Sequence, residues 1–409
     1  MPADRRQPVL ILGAGINGCA VARELLLNGI PVCIVDANDI AWGATSRSSR
    51  LIHGGLRYLE YGDFRLVRES LQERSRLRKL APQFVKPLRL HIPVRRRFAG
   101  LCQSAFRFLG GDRISKTRWL AALVPNRSER GLWLVRLGLW FYDRFAWGRE
   151  FPKHRVVRAG SGDGPAVDAD YRWLCGYTDA QMRYPERFVL ALLEDARRLA
   201  AEHGLEFSVF TYHHVALDGT YARVEQRSDG CVSSKFDPSL VINSTGAWGD
   251  LTLAELGMSS PPLFGGTKGS HLVSFEPRLR AALGDDGVYA ETSDGRLIFV
   301  LPFGDSVLVG TTDERFSGPP DDAIATEQEL DYLIGMINHL FPQLTFTRGH
   351  VHMHYAGVRP LPASVAGKTS SITRDHFIET HSRGPLAVWT LVGGKLTTAR
   401  ALAEQVAQR

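Results

Sequence analysis

The strongest constraint on the fold lies in the first 36 residues, where an apolar run 9–12 meets Gly13-x-Gly15-x-x-Gly18, a helix-compatible stretch ending near Asn28-Gly29, and a second apolar run 31–35 closing on Asp36. Strand, glycine turn, helix, strand and acid in this order form a dinucleotide-binding βαβ unit. Gly13 permits the tight turn, Gly15 lets a pyrophosphate approach the backbone, and Gly18 lets helix and strand pack closely. Asn17, between Gly15 and Gly18, lies at the start of the helix whose N-terminus faces the phosphates. Asp36, eighteen residues beyond Gly18, is placed to accept hydrogen bonds from ribose hydroxyls and to repel a 2′-phosphate. FAD or NAD is therefore favoured over NADP.

Three further stretches separate FAD from NAD. Residues 42–57 carry Thr45, Ser46, Ser49, Gly54 and Gly55, a donor-rich loop suited to following a long, flat cofactor outward from its pyrophosphate. A buried strand is expected at 239–243, delivering Thr245 and Gly246. Another is expected at 388–392, followed by Gly393, Gly394, Lys395, Leu396 and Thr397 and a helical tail. A glycine turn opening a helix aims N–H groups at one spot, where with Lys395 it would stabilise charge developing on a reduced flavin.

Composition narrows the classes. With 44% hydrophobic and 23% charged residues the chain is an ordinary globular one. Its longest apolar stretch, 132–142, is broken by Arg136 and is too short to span a bilayer. The five cysteines show no CxxC and no metal-ligand spacing to histidine, so neither a disulfide framework nor a metal site is expected, and a reducing compartment is. Charge is uneven: residues 93–158 hold fifteen Lys or Arg against four acids, while the net charge of the whole chain is +7. This segment suits an anionic surface, lipid headgroups or nucleic acid, or else a merely solvated face; no nucleic-acid motif accompanies it. It also carries Trp119, Trp133, Trp140 and Trp147, the last three at helical i, i+7, i+14 spacing, a stripe expected to face a core more often than a membrane.

The stretches GAGINGCAVARELLLNG, ATSRSSRLIHGGLRYLEYGDFRLVRESLQER, NSTGAW, KGSHLV, LVGTTD, YAGVRPL, ITRDHFI and GGKLTT, in that order, resemble the FAD-dependent glycerol-3-phosphate dehydrogenases of the D-amino-acid-oxidase superfamily. The resemblance runs from residue 9 to about 405. It implies an α/β fold in which a Rossmann-like FAD-binding domain (1–84, 170–257, 347–409) is interleaved with an antiparallel-sheet substrate domain (85–169, 258–346). Strands read independently at 270–275, 296–302 and 306–311 agree with the second of these. The sequence given ends about a dozen residues after GGKLTT, so the helical C-terminal cap usual in the family is not expected, and Arg50 stands where the family more often has lysine.

The implied reaction is oxidation of sn-glycerol 3-phosphate to dihydroxyacetone phosphate, hydride passing from C2 to flavin N5 and electrons onward to a quinone or another acceptor. Histidine is the natural base near neutral pH. Of thirteen histidines, His53 and His271 lie inside the matching motifs, and either one, or a merely hydrogen-bonded structural histidine, fits each position. His213, His214, His352 and His354 fit alternating strand faces better than a metal site. Phosphate recognition calls for arginine. Arg57, Arg359 and Arg374 stand out by position, with Tyr58 beside Arg57 and Lys395 at the far end; by resemblance Arg359 faces the substrate's anionic group. Oxidation of another small anionic amino or hydroxy acid, or a flavin-containing nucleic-acid module, are the alternatives. A cytoplasmic enzyme touching the inner face of a membrane is the expected setting.

Overall fold

The computed structural model describes residues 7–98, 130–146, 150–291, 297–363 and 375–409. Two sheets organise them. The first has six strands in the order Phe377–Arg383, Leu386–Val392, Leu240–Asn243, Val9–Leu12, Val32–Asp36 and Phe207–Thr211, parallel except for the first pair. Its central strands Val9–Leu12, Val32–Asp36 and Leu386–Val392 are apolar on both faces because both are covered. Ile11, Ile34 and Ile242 pack under the helices Ile16–Leu27, Pro185–His203 and Ala399–Gln408. Leu10, Leu12, Cys33 and Val35 pack instead under a three-stranded meander, His213–Asp218, Tyr221–Gln226 and Val232–Phe236.

The second sheet has ten strands. The expected antiparallel strands are present as Thr267–Ser274, Leu297–Phe303 and Ser306–Gly310, paired in antiparallel register. One parallel pair, Gly287–Glu291 with Lys86–Val94, joins that half to the rest. Three strands depart from the expected boundaries: Leu51–Ile52, Trp173–Gln181 and Met353–Arg359, placed by the sequence in the FAD-binding segments 1–84, 170–257 and 347–409, are all members of this second sheet. The reason is where the chain crosses over. Trp173–Gln181 and Met353–Arg359 follow strands that already belong to the second sheet, Arg155–Arg158 and Glu314–Arg315, and the chain crosses to the first sheet only afterwards, at Phe207–Thr211 and Phe377–Arg383. Helix Glu327–Leu340, started by a Thr326–Glu329 capping box, covers one region of this sheet, and helices Phe64–Leu80 and Leu132–Phe145 cover another.

The tryptophan stripe is a correction. Helix Leu132–Phe145 buries Leu132, Val135, Leu139 and Tyr142, and turns Trp133 (46% exposed), Leu137 and Trp140 (53% exposed) outward. Spacing alone puts these residues on one stripe without saying which side of the helix the core occupies. Trp119 and Trp147 lie outside the described residues.

Candidate active site

The glycine turns meet at the carboxyl ends of the parallel strands, where ligands of such sheets bind. Gly13 has φ +104°, and a Cβ at Gly18 would fall 2.0 Å from the Gly13 carbonyl oxygen and 2.6 Å from Ser244 Oγ, so neither position accepts a side chain. Gly15 differs. Its Cβ would meet only Thr45 Oγ1, at 3.5 Å, leaving an open approach to the helix start. Thr45 accepts a hydrogen bond from the Ile16 amide at 3.1 Å. From the far end of the chain Gly393 (φ +83°) and Gly394 (φ +89°) close on this turn, with Asn17 Nδ2 donating to the Gly393 carbonyl at 3.4 Å. Asp36 accepts the Ala14 amide at 2.6 Å and the Asn38 amide at 2.8 Å. Burial raises its pKa, partly offset by these two donors.

One cavity of about 2230 Å³ connects these loops. It is larger than an ordinary single small-molecule pocket, which is roughly 300–1,000 Å³, and so has room for a dinucleotide with a substrate beside it. Gly13, Gly15, Asn17, Asp36, Thr45, Ser49, Gly55, Thr245, Gly246 and residues 393–397 all line it. The glycine cradle, the carboxylate at the strand end and the loop donors fit FAD. Three expected cofactor residues stand elsewhere. Ser46 turns its hydroxyl onto the Trp42 and Gly43 carbonyls of its own loop, Gly54 is packed behind the lining against Leu71 and Tyr142, and Gly18 serves packing alone.

At the other end the cavity is walled by the second sheet. His271 on Thr267–Ser274 is buried, stacks on Tyr355 at 4.9 Å between ring centroids, and has Nε2 at 2.9 Å from Ser49 Oγ. Burial, then the positive charges of Arg359 and Arg50, push its pKa down to about 3, so the imidazole is neutral. Arg359 ends the neighbouring strand, opposite Thr267. Its guanidinium donates to Asp313 at 3.1 Å, Thr311 Oγ1 at 2.9 Å, the Thr312 carbonyl at 3.1 Å and Thr267 Oγ1 at 3.4 Å. Behind it, Thr312 Oγ1 donates at 2.7 Å to Glu329, which also pairs with buried Lys268 at 2.8 Å. Although burial opposes its ionisation, the Lys268, Thr326 and Thr312 donors hold the Glu329 carboxyl down at about 2.

His53, Arg57 and Tyr58 line the same region. The His53 amide donates to Thr397 Oγ1 at 3.3 Å, and its ring meets Phe299 edge-on at 6.2 Å. Gly55, at φ +74°, turns the chain into Leu56–Tyr61, and Lys395 Nζ lies 4.2 Å from the Tyr58 ring centroid. Arg374 lies outside the described residues. Arg50 is structural: it forms a bidentate pair with Glu186 at 2.8 and 3.0 Å. His213 and His214, read as structural, are held through Thr211, Ser233 and Glu225, yet they also border the cavity. Among the described residues no cluster of metal-ligating side chains is found. The sequence reading missed Tyr355, Thr311 and Asp313, which fix His271 and Arg359; the LVGTTD motif held the last two in plain view.

The chain is 33% identical to a glycerol-3-phosphate dehydrogenase of Synechocystis sp., the match covering 98% of this chain and 69% of that protein. It is 31% identical to the D-erythritol 1-phosphate dehydrogenase of Brucella abortus, over 97% and 72% respectively. Among solved structures it is similar to the glycerol-3-phosphate dehydrogenase from Bacillus halodurans complexed with FAD, at TM-score 0.67 and 20% identity, covering 99% of this chain and 64% of that one. The family model of FAD dependent oxidoreductases matches residues 8–409. The fingerprint, the paired glycine loops and the neutral histidine beside a fixed arginine thus sit in a chain that belongs to the FAD dependent oxidoreductase family and, within it, to the group that includes the glycerol-3-phosphate dehydrogenases.

Proposed function

We propose that the protein oxidises sn-glycerol 3-phosphate to dihydroxyacetone phosphate. The observation that carries this reading is the adjacency, on two paired strands facing the cavity, of a neutral buried imidazole and a cation locked in one orientation. Arg359 takes the phosphate, with Arg57 and Tyr58, which line the same cavity, and Lys395 and Arg374 as further donors. His271 is the base for the hydroxyl proton: it is neutral, it lines the cavity, and its Nε2 lies 2.9 Å from the hydroxyl of Ser49, which lines the cavity too. His53, which lines the same cavity, is the second candidate base. Bound FAD supplies the hydride acceptor. A dianion arriving beside Arg359 offsets the positive field that suppresses the His271 pKa, so substrate binding itself makes the base more basic.

Erythritol 1-phosphate is the second reading, favoured by the 31% identity to a dehydrogenase of that substrate. It shares the phosphate anchor and differs at the far end of the carbon chain. The test is anaerobic bleaching of the visible flavin spectrum by glycerol 3-phosphate, erythritol 1-phosphate and glycerol in parallel. Rapid bleaching by the first is the expected result. Bleaching by glycerol as fast as by its phosphate would refute the anion anchor.

Electrons then pass to a quinone or another acceptor. Among the described residues no helix is long and apolar enough to cross a membrane. We assign peripheral lipid contact to helix Leu132–Phe145, whose Trp133, Leu137 and Trp140 are exposed beside Arg136 and Arg144. Co-flotation with anionic liposomes at low salt, lost in a Trp133→Ser/Trp140→Ser variant, is expected; equal flotation of both would refute the assignment.

A further inference from the structure

Behind the cavity wall lies a buried polar cluster that the reaction does not use. Arg74, on Phe64–Leu80, and Asp179, on Trp173–Gln181, are each 1% exposed, and Tyr142, on Leu132–Phe145, is 2% exposed. Arg74 donates to Asp179 at 2.5 Å and to the Thr178 carbonyl at 2.9 Å, with its guanidinium 3.9 Å from the Phe151 ring centroid. Tyr142 donates its hydroxyl to Asp179 at 2.7 Å. That hydroxyl in turn accepts, at 2.9 Å, the amide N–H of Gly54.

Such a cluster is a poor investment for stability alone, because desolvating an ion pair costs about as much as its attraction returns. Its geometry has a different use. Three elements far apart in sequence converge on one amide, and that amide sits between His53 and Gly55, both of which line the cavity. On the cavity side the same loop is tied by the His53 amide to Thr397. A Cβ at Gly54 would lie 2.5 Å from both the Tyr142 hydroxyl oxygen and Leu71, so the loop is seated directly on the phenol. Burial, then the Asp179 charge, raises the Tyr142 pKa well above that of a free phenol, so it stays protonated and keeps donating to the carboxylate across the working pH range.

We propose that Tyr142, oriented by Asp179 and Arg74, is a positioning residue that fixes the His53–Gly55 loop against the flavin and substrate. The proposal uses glycerol 3-phosphate, and so rests on that reading, only for its kinetic arm. Tyr142→Phe keeps the ring and removes the hydroxyl, leaving the Gly54 amide with a single long contact, 3.4 Å to Asp179. Val135→Ala, a buried residue of the same helix outside the cluster, serves as the structural control.

Both variants are to be read as holoenzymes in two ways: the rate of anaerobic flavin reduction by glycerol 3-phosphate per bound flavin, and backbone hydrogen exchange across residues 51–57. We expect Tyr142→Phe to exchange at Gly54 about 10-fold faster and to slow reduction by about 10-fold, as a lost hydrogen bond of about 1.4 kcal/mol would. Val135→Ala is expected to change neither by more than about twofold. Native exchange in Tyr142→Phe, or equal effects in Val135→Ala, overturns the proposal. If glycerol 3-phosphate fails to bleach the wild-type flavin, the substrate reading falls alone, and the exchange arm still decides the role of Tyr142.

Discussion

The buried neutral histidine makes stability depend on pH with a definite sign. His271 is fully enclosed, beside Arg359 and Arg50, and its pKa falls from 6.5 to about 3 on folding. Between those values the unfolded chain binds a proton that the folded protein refuses, so stability decreases as pH falls below 6.5, and the loss is complete only near pH 3. Each pH unit in this window is worth about 1.4 kcal/mol, so moving from pH 6.5 to 5 costs about 2 kcal/mol from this one group. His271→Gln keeps a polar side chain facing Ser49 and removes the titration. Thermal unfolding of both proteins from pH 7.5 to 5 is the assay, and because every other group titrates alike in the two, the difference in slope isolates His271. Wild type should lose roughly 4 °C more in Tm than the variant over that interval, taking about 2 °C per kcal/mol. The acid limb of wild-type kcat/KM should likewise lie below pH 5. Parallel Tm curves for the two proteins would refute the assignment of a neutral, charge-suppressed imidazole.

The two fingerprint glycines should fail differently. Gly15→Val is expected to leave the apoprotein folded and colourless, since its side chain projects into the cofactor's approach, whereas Gly18→Ala should lower stability by about 2 kcal/mol or more through collision with Gly13 and Ser244; circular dichroism and flavin absorbance separate the cases. Arg359→Ala should lower kcat/KM for glycerol 3-phosphate by about 10²-fold or more, with Arg359→Lys recovering only part, because one ammonium cannot reproduce the planar fork. Glu329→Gln removes the carboxylate from buried Lys268 and should destabilise by about 3–5 kcal/mol in urea unfolding; unchanged stability would mean the pair is not buried as described.

What the sequence made legible is what short-range geometry dictates. The turn at Gly13 to Gly18 and the strands leading into Gly246 and Gly393 follow from residue type and spacing over a few positions. So do the antiparallel strands separated by Gly and Asp turns. The alternation of faces cannot be read this way, and Trp133 and Trp140 show it: one stripe, with its direction set by where Leu139 and Tyr142 find a core. Ser46 and Ser49 are chemically the same residue three positions apart, and only the fold turns one inward onto its own loop and the other toward His271. The Arg74–Tyr142–Asp179 cluster has no local signature, since its members reach Gly54 from as far as 125 residues away.

The contact between Asn17 and Gly393 spans 376 positions of the chain. At about 5–20 residues per second, a ribosome needs roughly 20–75 s to travel between them. During that interval the fingerprint turn exists without its lid of Gly393 and Gly394, and the central strand Leu240–Asn243 has no neighbour at Leu386–Val392. The cofactor cradle is therefore complete only once residues 393 and 394 have left the tunnel, which places flavin capture long after the fingerprint turn is made. Premature termination between Asp36 and Gly393 would yield a chain with the complete N-terminal fingerprint and no means of enclosing what it recognises.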